Sequence, residues 1–333
     1  MGEQFEHGIA LWSSRSWIDG ATAWVDERLA EAGLERTGEM EQRSLRPWAS
    51  VLRVPTSAAP VWLKATGPQA RFEVRLYRLL HEVAPERVLT PLATSVERGW
   101  VLLPDGGPSL GDRLEGPALV DALGEALPAY GRLQLDLAPR THELLELGVS
   151  DMRPEIMPSR FDEAVEAVRA YVERRDGDDS ERSRLQEVVA MRDTVERWCG
   201  QLAASGVPAS LDHNDLHAWN ILGSGSDVRF YDWGDGVVAQ PFASMLALGW
   251  VPMEDSERER LRDAYLGPFG DLAPHAELVD TLELACRVGK VARALTWHRS
   301  ISAFEPGEVE ERWLSGASES LFSLLEDSWL GRA

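Results

Sequence analysis

The hydrophobic pattern changes period twice within the first third of the chain, and this limits the folds open to it. "GEMEQRSL", "ASVLRVPT" and "PVWLKAT" (residues 38–66) read as three strands joined by the turn-like pieces "RPW" and "SAAP". "PQARFEVRLYRLLHEV" then takes up helical spacing, with Phe72, Leu76, Leu79 and Leu80 on one side. "VLTPLATSVE" and "GWVLLP" return to strand character. Together these predict a five-stranded antiparallel sheet with one inserted helix. An amphipathic helix over residues 17–34, closed by Gly33, precedes it. Turn residues cluster at "PDGGPSL", and beyond Leu110 the spacing is mostly helical, as in "ALVDALGEALPAYGRLQLDL" and "RFDEAVEAVRAYVERR". The expected fold class is α+β, with an N-terminal lobe over residues 1–105 and a mainly helical C-terminal lobe over 106–333. A chain of 333 residues suits two lobes better than one small core.

Charge narrows the partners. The chain carries a formal charge of -21, which disfavours nucleic acid and anionic membrane surfaces. Between Arg36 and Asp105, however, ten Lys/Arg face seven Asp/Glu, a local balance of +3. One segment therefore tolerates an anion while the remainder favours a cation, although acidity that merely serves solubility explains the total equally well. No apolar run approaches the ~18 residues of a transmembrane helix. The N-terminus lacks the pattern of a signal peptide, and Glu6 breaks that of a myristoylation site. Cys199 and Cys286 show no metal-like spacing, so a reducing cytoplasm is the expected compartment.

Chemistry concentrates in "SLDHNDLHAWNILGSGSDVRFYDWGDG" (residues 210–236). His213 and His217 stand four apart, as zinc ligands on a helix do, but no Glu of a zinc protease lies between them, and Asn/Asp oxygens suit Mg²⁺ better. "GSGSD" is no G-x-S-x-G elbow and reads as a hairpin loop. A phosphoryl-transfer reading uses the spacing more fully. His213, Asp215 two residues on, and Asn220 five residues after that have the order of a kinase catalytic loop, and Asp232 follows a short hairpin. Asp215 can orient or accept the proton of an attacking hydroxyl, while Asn220 and Asp232 offer hard oxygens to Mg²⁺. His213 reads as a structural tie to the backbone near Asp232. His217 and Asp235 read as either substrate-adjacent or local. Asp212 reads as local, and Trp219 and Trp233 flank the segment.

"HNDLHAWNIL…YDWGD" closely resembles the aminoglycoside phosphotransferase-like family of small-molecule kinases, whose loop runs H-G-D-x-x-x-x-N and then D-x-G. Asn214 departs from the usual Gly. The resemblance implies a bilobal protein-kinase-like fold with ATP and Mg²⁺ between the lobes and a small hydroxylated acceptor, a cationic one being mildly favoured. It further implies a strand lysine for the phosphates, matched by Lys64, and a helix carboxylate to pair with it, matched by Glu73. Backbone groups from Leu103 to Asp105 would meet adenine. No G-x-G-x-x-G is present; "LRPWAS" stands in its place, so backbone amides there, with Ser50, are expected to cover the phosphates. The rivals are a catalytically silent kinase-like ligand-binding protein, against which Asp215, Asn220, Asp232 and Lys64 argue, and a protein kinase, against which the absent glycine-rich loop argues.

Overall fold

The computed structural model describes residues 8–175, 177–302, 304 and 309–326. Strands β1 (Glu41–Leu45), β2 (Ala49–Val54), β3 (Val61–Thr66), β4 (Ala93–Ser95) and β5 (Trp100–Pro104) form one sheet in the order β1-β2-β3-β5-β4. Every neighbouring pair in it is antiparallel. The helix Phe72–Val83 lies between β3 and β4 in the chain. The expected strand over residues 88–97 shortens to three residues, because Pro91 has no N–H to give a ladder.

Alternation divides the sheet into two faces. Leu52, Val54, Leu63, Ala65 and Leu102 form a small core with Ala21, Val25 and Leu29 of the helix Arg15–Glu31. The opposite face carries Lys64, whose register partners are Val51 and Val101. On that side Val101 and Leu103 join the main core together with Phe72, Leu76, Leu79 and Leu80. The four apolar positions read from the helical spacing are thus its buried stripe.

Beyond Pro104 the chain is mainly helical, the long elements being Gly116–Leu137, Met157–Arg174, Asp179–Val189, Arg192–Ala204, Asp255–Leu266 and His275–Ile301. Five short strands are set among them: β6 (Ser150–Met152), β7 (Ser210–Asp212), β8 (Ile221–Ser224), β9 (Asp227–Phe230) and β10 (Val237–Ala239). β8 and β9 make a hairpin, while β10 lies between β6 (parallel) and β7 (antiparallel). β6, three residues with no alternation to read, is not predicted by the hydrophobic pattern.

This topology brings the chemistry together. The pairing Asp212↔Val237 sets the end of β7 beside the start of β10, and the pairing Ile221↔Phe230 sets the start of β8 beside the end of β9. The loops 213–220 and 231–236 therefore leave the same edge side by side, and Tyr231 N–H donates to the Asn220 carbonyl at 3.3 Å.

Candidate active site

Lys64 sits at the join of the two lobes, its side chain only 11% exposed. Its ammonium lies 2.7 Å from Glu73 Oε2 and 2.5 Å from Asp232 Oδ1. Glu73 is in the first turn of its helix and fully buried, and its Oε1 also accepts from Trp233 N–H at 3.0 Å. One carboxylate thus ties the sheet lysine to the loop that carries Asp232. Burial works against the Lys64 charge, but Asp232 and Glu73 together hold its pKa above the ordinary lysine range. Gly234 packs close beside this pair: a Cβ there would stand a tight 3.3 Å from Glu73 Oε2 and an ordinary 3.5 Å from Lys64 Nζ. Asp232 adopts a left-handed conformation (φ 65°) and its side chain is half exposed. Burial of its carboxyl is outweighed by Lys64, which lowers its pKa.

The neighbouring loop presents Asp215. Its Oδ1 lies 3.7 Å from an Arg293 guanidinium nitrogen and its Oδ2 3.4 Å from His217 Nε2. Burial would raise the Asp215 pKa, but the His217 hydrogen bond and the Arg293 charge bring it below the usual carboxylate range. The group is therefore ionised at neutral pH, as an acceptor of a hydroxyl proton must be. Burial opposes the His217 charge in turn, and Asp215 raises its pKa. Asn220 is buried, and its Nδ2 donates to the Asp215 carbonyl at 2.9 Å, which commits the amide nitrogen and leaves the oxygen as the ligand-capable end.

His213 is buried; its Nε2 lies 2.9 Å from the Tyr231 carbonyl, one residue before Asp232, and its ring stands 4.6 Å from that of Trp233. Burial lowers its pKa, so it is a neutral imidazole that donates through Nε2 and ties the two loops together. Asp235 is raised to about 7 by burial and by the charge of Asp215, with Arg299 and Arg293 acting the other way. Asp212 is raised to about 6 by burial. It accepts from Asn214 N–H and Ser244 Oγ and so has a local role.

One expected position differs. Ser50 pairs with Ala65 and not with Lys64, which puts it on the opposite face of the sheet. Its hydroxyl accepts from Gln42 Nε2 at 2.9 Å and donates to the Ser44 carbonyl at 3.4 Å, so it does not join the face that carries Lys64. At the connector, β4 pairs with β5 no further than Leu102. The Asp105 carboxylate accepts from Gly107 N–H at 3.0 Å, closing its own turn.

Several groups around the site were missed from sequence. Arg293 donates to the Asn214 carbonyl at 2.7 Å, and Arg299 reaches Ser150 Oγ at 2.7 Å and the Gly234 carbonyl at 3.4 Å. In "VARALTWHRS" nothing distinguishes them from surface arginines. Beneath the loops, Tyr130 Oη receives the His213 N–H, and Gln134 donates to the Leu211 and Pro241 carbonyls. Here a signal existed: Tyr130 and Gln134 stand four apart, on one face of an amphipathic helix among apolar residues, where buried polar groups need partners.

Asn214 also has a left-handed backbone (φ 60°), which Asn tolerates better than most residues. Its Nδ2 donates to Thr296 Oγ1 at 2.9 Å and to the Asp235 carbonyl at 3.3 Å, so the side chain absent from the family's glycine ties the loop to the helix His275–Ile301. Asn214→Gly is expected to lower stability by about 1–2 kcal/mol through these bonds. Asn214→Ala should cost about 1 kcal/mol more through backbone strain. Urea unfolding checks the order; a milder alanine variant would contradict it.

No curated protein matches the chain at sequence level. Among solved structures, a choline kinase from Cryptosporidium parvum Iowa II is 13% identical with a TM-score of 0.61, covering 93% of this chain and 94% of its own. A Plasmodium vivax ethanolamine kinase is 13% identical with a TM-score of 0.60, covering 92% and 89%. A macrolide 2′-phosphotransferase from Brachybacterium faecium is 17% identical with a TM-score of 0.56, covering 90% and 97%. These likenesses show a shared bilobal, kinase-like fold. The model of the phosphotransferase enzyme family matches residues 42–278, a span that holds Lys64, Glu73, Asp215, Asn220 and Asp232, and the chain belongs to that family.

Proposed function

We propose that the chain transfers the γ-phosphoryl group of ATP, with Mg²⁺, to a hydroxyl of a small molecule. The observation that carries this reading is the Lys64 ammonium bound at once to buried Glu73 and to Asp232, beside a loop that presents an ionised Asp215. Lys64 would hold phosphate oxygens, with Glu73 fixing its position. Backbone groups from Leu103 to Asp105 would meet the adenine. Asp215 would orient the acceptor hydroxyl and take its proton as the oxygen attacks phosphorus, and Arg293 and His217 hold that carboxylate in place.

The donor set suits magnesium. Asn220 and Asp232 supply hard oxygens. That is the pattern of an ion bound by one or two protein oxygens and completed by substrate phosphates. Bound there, Mg²⁺ would offset the charge that develops on the transferring phosphoryl group.

The acidic total of the chain favours a cationic acceptor, but Arg293 and Arg299 beside the loops temper this, so the bias is mild. Aminoglycosides, amino sugars, macrolides and amino alcohols span the class. An ADP-release screen across them with MgATP is expected to give acceptor-dependent turnover with at least one. Nucleotide binding without ADP release on any acceptor would favour the silent binding protein instead.

A further inference from the structure

The turn between β1 and β2 occupies the place where nucleotide-covering loops are glycine-rich, yet it ends on Trp48, and this indole reaches the other lobe. Its ring stands 5.9 Å from Trp297 and 5.4 Å from Trp313, edge-on to both, and those two stack on each other at 5.7 Å. Arg46, at the start of the same turn, lies over the Trp313 ring at 5.6 Å. The Trp48 carbonyl accepts from Gly67 N–H at 2.9 Å, which fixes the turn to the end of the strand that carries Lys64. Gly316 makes room for the clasp, since a Cβ there would come within 2.6 Å of the Trp297 ring.

The clasp closes next to the reacting groups. Trp297 follows Arg293 by four residues on the helix His275–Ile301, so the two share a face. Arg293 lies against Asp215, and Thr296, beside Trp297, holds the Asn214 side chain. The backbone of Trp297 therefore stands ~6 Å along the helix axis from that of Arg293, the residue that lies against Asp215.

We propose that Trp48 is a specificity-determining residue that selects the acceptor alcohol over water by closing this side of the cleft; the proposal rests on the phosphotransferase reading above. In either reaction the bond from the γ-phosphorus to the ADP oxygen breaks, a bond to the incoming oxygen forms, and the proton of that oxygen passes to Asp215. Water and alcohol balance identically, so access to the γ-phosphorus and positioning there separate them. An apolar wall of three indoles, anchored in both lobes, limits the access of water while an acceptor fills the remaining space.

The test compares ADP release with and without acceptor for the full chain and for Trp48→Ala and Trp48→Phe. Trp48→Ala is expected to raise the ratio of hydrolysis to transfer roughly tenfold, the size of effect that two lost aromatic contacts would give. Trp48→Phe keeps an aromatic ring in the turn and should fall between it and the unaltered chain. The KM for ATP should change by less than about threefold, because Lys64 and its partners are untouched. If Trp48→Ala fails to fold, Trp48→Phe carries the test. An unchanged ratio in a variant that still transfers overturns the proposal. An unaltered chain that releases no ADP under either condition overturns the phosphotransferase reading itself, a distinct outcome.

Discussion

Asp215→Asn is expected to lower phosphoryl transfer by roughly 10²–10⁴, the range for loss of a positioned base. The substitution is nearly isosteric. The amide oxygen can still face the Arg293 guanidinium, which lies 3.7 Å from Oδ1, and the Asn220 bond goes to the backbone carbonyl, so the loop keeps its shape. Nucleotide binding should survive, because Lys64, Glu73 and Asp232 form a separate cluster. ADP release reports the first effect, and a thermal shift on adding MgATP reports the second. A further reading separates loss of charge from loss of fold. Asp215 raises the His217 pKa, so in Asp215→Asn that imidazole should titrate at lower pH by NMR. Near-normal turnover in the variant would remove Asp215 from the reaction.

How much of this was legible in the sequence depended on the range of the interaction. The loop 213–220 and the Asp232 loop were readable because their ligating groups lie within some twenty residues and the hairpin between them is local. The Lys64–Glu73 pair was readable in part, since an apolar strand followed by a helix sets both residues on one side of the sheet. Ser50 was misplaced by one position of a strand. With a period of two, the residue next to the turn points either to the face that carries Lys64 or to the helix Arg15–Glu31, and only the register with Ala65 decides it. Arg293 and Arg299 were invisible because they meet the loops across some eighty and sixty-five residues of chain, a contact that no local pattern announces. The contacts of Trp48 were not legible in "LRPWAS", because its partners Trp297 and Trp313 lie some two hundred and fifty residues further along the chain.

Lys64→Met should disturb both nucleotide use and folding, and the two effects can be separated. Loss of the ammonium should raise the KM for ATP about tenfold or more, a cost of about 1.4 kcal/mol. It also leaves Glu73 buried without its cation, and breaking a buried pair in this way costs about 3–5 kcal/mol. That penalty depends on pH with a definite sign. Burial already raises the Glu73 pKa, and removing Lys64 takes away the charge that opposes the rise. A carboxyl whose folded pKa exceeds its unfolded value binds its proton more tightly in the folded state. Stability of the variant is therefore greatest below the unfolded value and falls as pH rises towards the folded one. Urea midpoints should show a larger deficit against the unaltered chain at pH 8 than at pH 5. The double variant Lys64→Met/Glu73→Gln removes the stranded charge while its amide oxygen still accepts from Trp233 N–H. It should regain most of the lost stability and none of the lost ATP affinity. Recovery of both, or of neither, would mean that Lys64 is not the point where the fold and the nucleotide meet.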